Sequence, residues 1–136
     1  MKTREKHTGL LLAAAALATA FTCTAFTVSA AEEQEMRTVE TDKGEVEIPV
    51  NPEKIVSDYY LGEFLAVDVK PVIASPYSLS NKFLEEYIDG IQAMNVTSAE
   101  TSLEMIVAEQ PDLIVTITEA DYEKYSAIAP TVYIED

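Results

Sequence analysis

The chain has 136 residues, 48% of them hydrophobic and 24% charged, a composition typical of one globular domain rather than two. It carries 9 basic and 24 acidic residues, and a net charge of −15 excludes binding to nucleic acid. A single cysteine and a single histidine leave little material for disulfides, zinc or copper sites, or Ser-His-Asp catalysis.

Residues 1–30 have the organisation of a secretory signal peptide. Three basic residues come first, residues 9–28 are apolar or small, and residues 28–30 fit the small-x-small rule for cleavage. The alternative is a membrane-spanning anchor, which the weakly apolar alanines and threonines and the cleavage site disfavour. We therefore expect an exported protein, in the periplasm or at the cell surface.

Cys23 lies inside this apolar run and is interpreted as a signal-peptide residue. A lipoprotein cysteine needs a small residue directly before it and usually a leucine three before, whereas Ala20-Phe21-Thr22 precede Cys23. A lipid anchor on Cys23 is the less favoured alternative.

Cleavage after Ala30 would change both the charge and the available chemistry. It would leave 6 basic and 23 acidic residues, a net charge of −17, and it would remove His7 and Cys23. Cysteine and histidine chemistry would then be lost, and carboxylate chemistry would remain possible. The acidic field favours neutral or cationic ligands.

The mature part opens with residues 31–36, an acidic and unpatterned stretch that predicts a flexible leader. Residues 38–48 then predict a β-hairpin with its turn at residues 42–44. Ile55-Val56 is a short buried strand, the apolar spacing over residues 61–67 predicts a helix, and residues 72–74 form the next strand.

The second half continues the same alternation. Residues 80–88 predict a helix with Phe83, Leu84, Tyr87 and Ile88 facing inward, and residues 91–94 predict a weak strand. The remaining expected elements are a helix with a Thr101–Glu104 capping box and an apolar stripe of Leu103, Ile106 and Val107, a strong strand at 113–117, a helix begun by residues 118–121, and a last strand at 131–134.

Short apolar strands alternating with single helices are typical of a parallel sheet covered by helices. We therefore predict an α/β fold, a Rossmann-like lobe with a mostly parallel sheet flanked by helices and an N-terminal β-hairpin.

Ligands of such sheets bind beyond the carboxyl ends of the strands. The residues that follow the predicted strands carry hydroxyl, amide and aromatic groups, which hold an organic ligand by contact area and hydrogen bonds. The candidate ligand-binding residues are Tyr59, Tyr60, Ser75, Tyr77, Asn95 and Thr118. We predict no catalytic residue, no metal-ligating residue and no cofactor.

Three stretches together resemble one family. "NPEKIVSDYYLGEFLAVDVKPVIAS" at 51–75, "SLEMIVAEQPDLIVT" at 102–116 and "YEKYSAIAPTVYIED" at 122–136 are similar to substrate-binding proteins of iron–siderophore ABC importers, of the ferric hydroxamate and cobalamin type. The hairpin also matches, so that the resemblance covers nearly all of residues 37–136.

The resemblance implies that residues 37–136 are the N-terminal lobe of a bilobal, periplasmic-binding-protein-like fold whose second lobe is absent. It implies capture of a ferric siderophore and delivery to the permease of an ABC importer. It also implies that Glu104, which matches the glutamate of the family's Leu-Glu-x-Ile helix, docks on the permease. The chain's stop at the end of a strand predicts a fragment or a truncated gene product.

Two alternatives stay open at this point. The same fold could bind cobalamin, haem or a similar chelate. A secreted α/β enzyme that uses carboxylates is the other alternative, although no paired-carboxylate motif supports it.

Overall fold

The computed structural model describes residues 34–95 and 99–135, and within a helix the side chains of residues 99–101 are not described. The predicted signal peptide at 1–30, with Cys23, lies outside the described residues. None of the helices described between residues 34 and 135 is long and apolar enough to cross a membrane.

The chain alternates short strands and helices as the sequence predicts. The strands are β1 (Met36–Thr41), β2 (Gly44–Pro49), β3 (Ile55–Ser57), β4 (Ile73–Ala74), β5 (Gln92–Ala93), β6 (Leu113–Thr116) and β7 (Thr131–Tyr133). The helices are α1 (Leu61–Ala66), α2 (Pro76–Leu79), α3 (Ala99–Glu109) and α4 (Glu119–Tyr125), with a 3-10 turn at Lys82–Leu84.

Strands β3 to β7 form one parallel sheet in the order β5-β4-β3-β6-β7. The first parallel strand, β3, lies at the centre, where Val56 pairs with Ile73 of β4 and with Ile114 of β6. All three β3 residues are buried, which explains why Ile55 and Val56 are both apolar rather than alternating with an exposed polar residue. The predicted α/β fold, a Rossmann-like lobe with an N-terminal hairpin, is confirmed.

One face of the sheet is covered by α3 and α4. Val56, Ile73 and Ile114 point from the strands into a core that Ile106 of α3 and Tyr125 of α4 complete. Because successive strand residues point to opposite faces, their neighbours Ile55, Leu113 and Val115 form a second core on the other side.

The hairpin of β1 and β2 covers that second face together with α1. Ile48 of β2 and Phe64 of α1 pack against Ile55, and the antiparallel register pairs Thr41 with Gly44 across the turn. Gly44 has a φ of 101°, a conformation that residues with a Cβ atom avoid, so this turn requires glycine.

The tip of the hairpin is tied to the end of the sheet. Lys43 forms an ion pair with Glu119 at the start of α4 and lies 5.3 Å from the centre of the Tyr133 ring. The Asp42 carboxylate accepts a hydrogen bond from the Glu135 amide at 3.2 Å. These contacts hold the hairpin across β7.

The predicted helix at residues 80–88 is wrong. A helix begins earlier, at Pro76, because Ser75 caps it and proline suits the first helical position; it ends at Leu79. The Asn81 side chain then accepts a hydrogen bond from the Phe83 amide and begins a 3-10 turn, which competes with helix formation. Phe83 is 92% exposed and Tyr87 is 57% exposed, so neither faces inward.

The predicted capping box of α3 is also wrong. The helix begins at Ala99, so the backbone of Thr101 lies inside it and Glu104 is its sixth residue. The apolar stripe is narrower than predicted, because Ile106 is fully buried whereas Val107 is 53% exposed.

The predicted leader ends earlier than residue 36. Met36 belongs to β1, and the Glu35 carbonyl accepts a hydrogen bond from the Val50 amide at 2.7 Å. The Gln34 amide group donates to the Asp112 carboxylate at 3.0 Å. Pairing with β2 and Asp112 therefore orders residues whose own sequence shows no pattern.

Candidate ligand-binding rim

The carboxyl ends of β3 and β4 lie side by side, and this edge of the sheet is called the rim. Tyr59 follows β3, and Ser75 and Tyr77 follow β4. Since β3 and β4 are hydrogen-bonded neighbours, Tyr59 and Tyr77 lie close together although they are 18 residues apart in the chain.

Tyr59 and Tyr77 form a parallel aromatic pair at the rim. Their ring centres are 6.2 Å apart and the ring planes differ by 4°, an offset stack. Both rings are accessible, Tyr59 being 39% and Tyr77 74% exposed. The pair presents a flat apolar surface with two hydroxyl groups to solvent.

Tyr60 occupies different surroundings from its neighbour. Its ring meets Tyr59 edge-on, with centres 5.6 Å apart, but it packs against the hairpin-side core. Its hydroxyl lies 3.5 Å from the Ile134 carbonyl oxygen. Tyr60 also lines a wide, mostly apolar groove of about 1000 Å³ between the hairpin and α1.

Ser75 has a structural role at the rim, where it caps α2. Its hydroxyl oxygen accepts a hydrogen bond from the Ser78 amide at 3.2 Å and so caps α2. The same hydroxyl donates to the Ser78 Oγ at 3.0 Å, and the Ser78 hydroxyl donates to the Tyr59 carbonyl oxygen at 3.0 Å. Sequence analysis did not identify Ser78, although the Ser75-Pro76 helix start is a readable signal for it.

A groove of about 440 Å³ runs beside the aromatic pair, between α1 and the segment that follows β4. Its walls carry one carboxylate, one amide and two phenol groups. The residues that contribute these groups are Glu63, Asn81, Tyr59 and Tyr77. The oxygen atoms of these groups can therefore accept hydrogen bonds from a bound molecule, and the Glu63 carboxylate can attract a positively charged group on it.

Asn95 lies at the end of β5 and lines a different, smaller cavity of about 280 Å³ together with Asp58, Asp121 and Lys124. The Asn95 carbonyl accepts a hydrogen bond from the Ser102 hydroxyl of α3. Asp58 directly follows β3, a polar position at a strand end that sequence analysis passed over.

Asp58 links the two central strands at the rim. Its carboxylate accepts a hydrogen bond from the Thr116 hydroxyl of β6, and its Oδ1 atom is buried with no hydrogen-bond partner among the described residues. Burial raises the pKa of Asp58 by more than the hydrogen bond from Thr116 lowers it, so this pKa lies above its ordinary value.

Thr118 follows β6 at the start of α4, where its hydroxyl donates to the Asp121 carboxylate at 2.6 Å. Burial raises the pKa of Asp121, but the hydrogen bonds from Thr118 and Lys124 outweigh it and leave that pKa below its ordinary value. The Thr118 hydroxyl is therefore paired with a carboxylate in the first turn of α4 and does not cap a helix amide.

Glu104 is exposed on α3, away from the helix start. A negative charge stabilises a helix N-terminus only within the first turn, so Glu104, the sixth residue of α3, gains little from that effect. Among the described residues, no three His, Cys, Asp or Glu side chains are grouped so that they could hold a metal ion.

The rim thus combines a flat aromatic pair with hydroxyl, amide and carboxylate groups at the carboxyl edge of a parallel sheet. Such a surface is typical of an α/β lobe that binds an organic ligand.

Comparison with known proteins agrees with this class. The chain is 40% identical over 106 residues to the iron(3+)-hydroxamate-binding protein YxeB of Bacillus subtilis, a match that covers 78% of the chain and 32% of YxeB. It is 31% identical over 102 residues to the iron(3+)-hydroxamate-binding protein FhuD of the same organism, covering 72% of the chain and 31% of FhuD. No protein-family model matches the sequence.

Solved structures share the fold. Unliganded FhuD2 from Staphylococcus aureus matches with a TM-score of 0.65 and 26% identity, over 74% of this chain and 37% of that one. SirA from Staphylococcus aureus, solved in complex with staphyloferrin B, matches with a TM-score of 0.64 and 25% identity over the same shares.

The chain is therefore a homologue of the iron(3+)-hydroxamate-binding proteins, and its fold is that of siderophore-binding proteins. It spans about a third of the length of the curated relatives that it matches.

Proposed function

We propose that this chain supplies one lobe of a solute-binding protein that captures a ferric siderophore outside the cytoplasm and delivers it to an ABC importer. Tyr59, Tyr77 and the groove beside them form one wall of the ligand site. The opposite wall comes from a second lobe, as the resemblance to bilobal proteins implies.

The observation that carries this proposal is the 40% identity to an iron(3+)-hydroxamate-binding protein over 106 residues. A match of that length in a chain of 136 residues has to include the middle of the chain, where Tyr59, Ser75 and Tyr77 lie. The similarity therefore covers the strands that bring the aromatic pair together.

The charge of the protein favours a particular kind of chelate. Residues 31–136 carry a net charge of −17, which repels anions at long range. Ferric hydroxamates are neutral or cationic, whereas ferric tricatecholates are trianions. A hydroxamate chelate is therefore the expected ligand, in agreement with the names of the two iron(3+)-hydroxamate-binding relatives.

The protein in this proposal binds the organic surface of the chelate and performs no catalysis. The chelator supplies all of the ligands of the iron, so the lobe needs no metal-binding side chains of its own. Phenol rings and hydroxyl groups recognise such a surface by contact area and hydrogen bonds.

Delivery requires export and docking. The signal peptide predicted at residues 1–30 would take the chain across the membrane, with a lipid on Cys23 as the less favoured form of anchoring. Glu104, exposed on α3, is the proposed contact with basic residues of the permease.

The test is a titration of the natural full-length protein with chelates, monitored by the quenching of its intrinsic fluorescence, to which residues 1–136 contribute 7 tyrosines and no tryptophan. Ferric hydroxamates should bind, and Tyr77→Ala should weaken binding about tenfold because a stacked ring loses its contact area. Tyr87→Ala is the matched control: this tyrosine is exposed but does not line the groove, so affinity should stay unchanged.

Binding of haem or cobalamin in place of every ferric hydroxamate would contradict the ligand class proposed here. No response to any chelate would contradict the function itself.

A further inference from the structure

We propose that Ser78 is a positioning residue that holds Tyr77 flat against Tyr59 and so shapes the wall of the ligand site. This inference rests on the proposed function, because it concerns the same aromatic pair. Ser78 itself is buried beneath the pair.

Three hydrogen bonds converge on Ser78. Its hydroxyl donates to the Tyr59 carbonyl oxygen at 3.0 Å, and the same oxygen accepts from the Ser75 hydroxyl at 3.0 Å. Its amide donates to the Ser75 oxygen at 3.2 Å. Ser78 therefore joins the cap of α2 to the backbone of the residue that follows β3.

This tether determines the relative placement of the two rings. Tyr77 precedes Ser78 in a helix of only four residues, which has little stability of its own. Tyr59 lies in the connection between β3 and α1, and the Ser78 hydroxyl is bonded to its backbone. With both backbones fixed, the ring planes lie within 4° of each other.

Without the tether, α2 is free to shift relative to α1 and the two rings separate. The ligand would then meet two independent tyrosines rather than one flat surface, and it would have to order them on binding. The Ser78 hydroxyl thus contributes to affinity through the placement of the two rings.

The experiment compares Ser78→Ala with Ser126→Ala in the natural full-length protein. Ser126 is the matched control, because its hydroxyl also donates to a helix carbonyl, that of Glu123 at 3.2 Å, and the residue does not line the groove beside the aromatic pair. Ser78→Ala should weaken ferric hydroxamate binding about fivefold and Ser126→Ala less than about twofold. Ser78→Thr, which keeps the hydroxyl, should restore most of the affinity.

Two further readouts separate positioning from a merely structural role. The near-ultraviolet circular dichroism of the tyrosines should fall in Ser78→Ala and stay unchanged in Ser126→Ala. In a Tyr77→Ala background, Ser78→Ala should cause no further loss of affinity, because there is no ring left to position.

Equal effects of the two alanine variants on affinity and dichroism would overturn the inference. So would an undiminished loss from Ser78→Ala when Tyr77 is already alanine. The dichroism requires no ligand: if the wild type binds no chelate while Ser78→Ala still loses the tyrosine signal, the proposed function fails and the positioning of the rings stands.

Discussion

Tyr59 and Tyr60 show how consecutive residues take different tasks when a strand ends. Tyr59 stacks on Tyr77 at the open rim, whereas Tyr60 turns toward the core beneath the hairpin. Both phenols are amphipathic, so each can place its ring against protein and its hydroxyl toward a polar partner. The direction of the chain at this turn, and not the residue type, places Tyr59 at the rim and Tyr60 against the core.

Asp112 is the residue that secures the opposite end of the sheet. Its carboxylate accepts hydrogen bonds from the amides of Glu53 at 2.7 Å and Lys54 at 2.9 Å, and from Gln34. Burial raises the pKa of Asp112, but these donors outweigh burial and place that pKa below its ordinary value of 3.8. Asp112 thus fixes the entry of the chain into β3.

Asp112→Ala should lower the free energy of unfolding by about 1–2 kcal/mol at pH 7, because it removes the acceptor of three hydrogen bonds. The pKa is lower in the folded state, so the contribution of Asp112 is complete above its unfolded pKa. It is lost as the pH falls from about 3.8 through the folded value. Urea unfolding at several pH values measures this.

Glu86→Ala, at an exposed turn residue, serves as the control and should change the stability by less than about 0.5 kcal/mol. An Asp112→Ala deficit that does not shrink as the pH falls below about 3.8 would refute this account of its charge.

At the scale of single elements, α3 shows how two consecutive helix residues can differ completely in burial. Ile106 fills the core between α3 and the sheet, and Val107, the next residue, lies about 100° further around the helix and is exposed. The apolar pattern of the sequence predicted both as inward, because hydrophobicity alone does not reveal the width of the contact with the sheet.

Ile106→Ala should cost about 3 kcal/mol of unfolding free energy, since it leaves a cavity in a fully buried site. Val107→Ala removes a similar aliphatic group from an exposed position and should cost less than about 0.5 kcal/mol. Chemical denaturation of both variants tests the placement of α3, and equal losses would show that the helix is rotated.

At the scale of the whole molecule, the acidic charge acts on an approaching ion before contact. With 23 acidic and 6 basic residues over positions 31–136, the field attracts cations over roughly a Debye length, about 10 Å at 0.1 M salt. In the proposed function, this field selects the charge of the ligand and the rim recognises its shape.

Raising the salt from about 20 mM to about 500 mM should weaken binding of a cationic ferric hydroxamate about threefold and leave a neutral one nearly unchanged. Titration of both chelates at both salt concentrations measures the difference. Identical salt dependence for the two chelates would show that the surface charge plays no part in selection.

The strands of this protein were predictable and the segment after β4 was not. The central strands β3, β4 and β6 are mostly apolar because both faces of the sheet are covered there, and that pattern survives in the sequence. Residues 80–88 carry helical spacing, yet the Ser75 and Asn81 side chains bond to the backbone and impose short turns. Hydrogen bonds from single polar side chains to the backbone do not change the spacing of apolar residues, so the sequence pattern does not show them.

The candidate site was predictable only in part. The topology rule places residues at the rim, and it identified Tyr59 and Tyr77 correctly as rim residues. It gave no means to separate Ser75, which caps α2, and Thr118, whose hydroxyl is bonded to Asp121, from side chains that remain available to a ligand.

By itself the amino-acid sequence determined the order of the elements, the parallel sheet, the hairpin and the acidic field, because these depend on patterns within short stretches. Only the tertiary structure decided that Tyr59 and Tyr77 stack, and that Tyr60 turns inward. It also decided that Ser78 joins the start of α2 to the backbone at Tyr59. These contacts link residues from different strand–helix units, and their geometry depends on how the neighbouring strands β3 and β4 align.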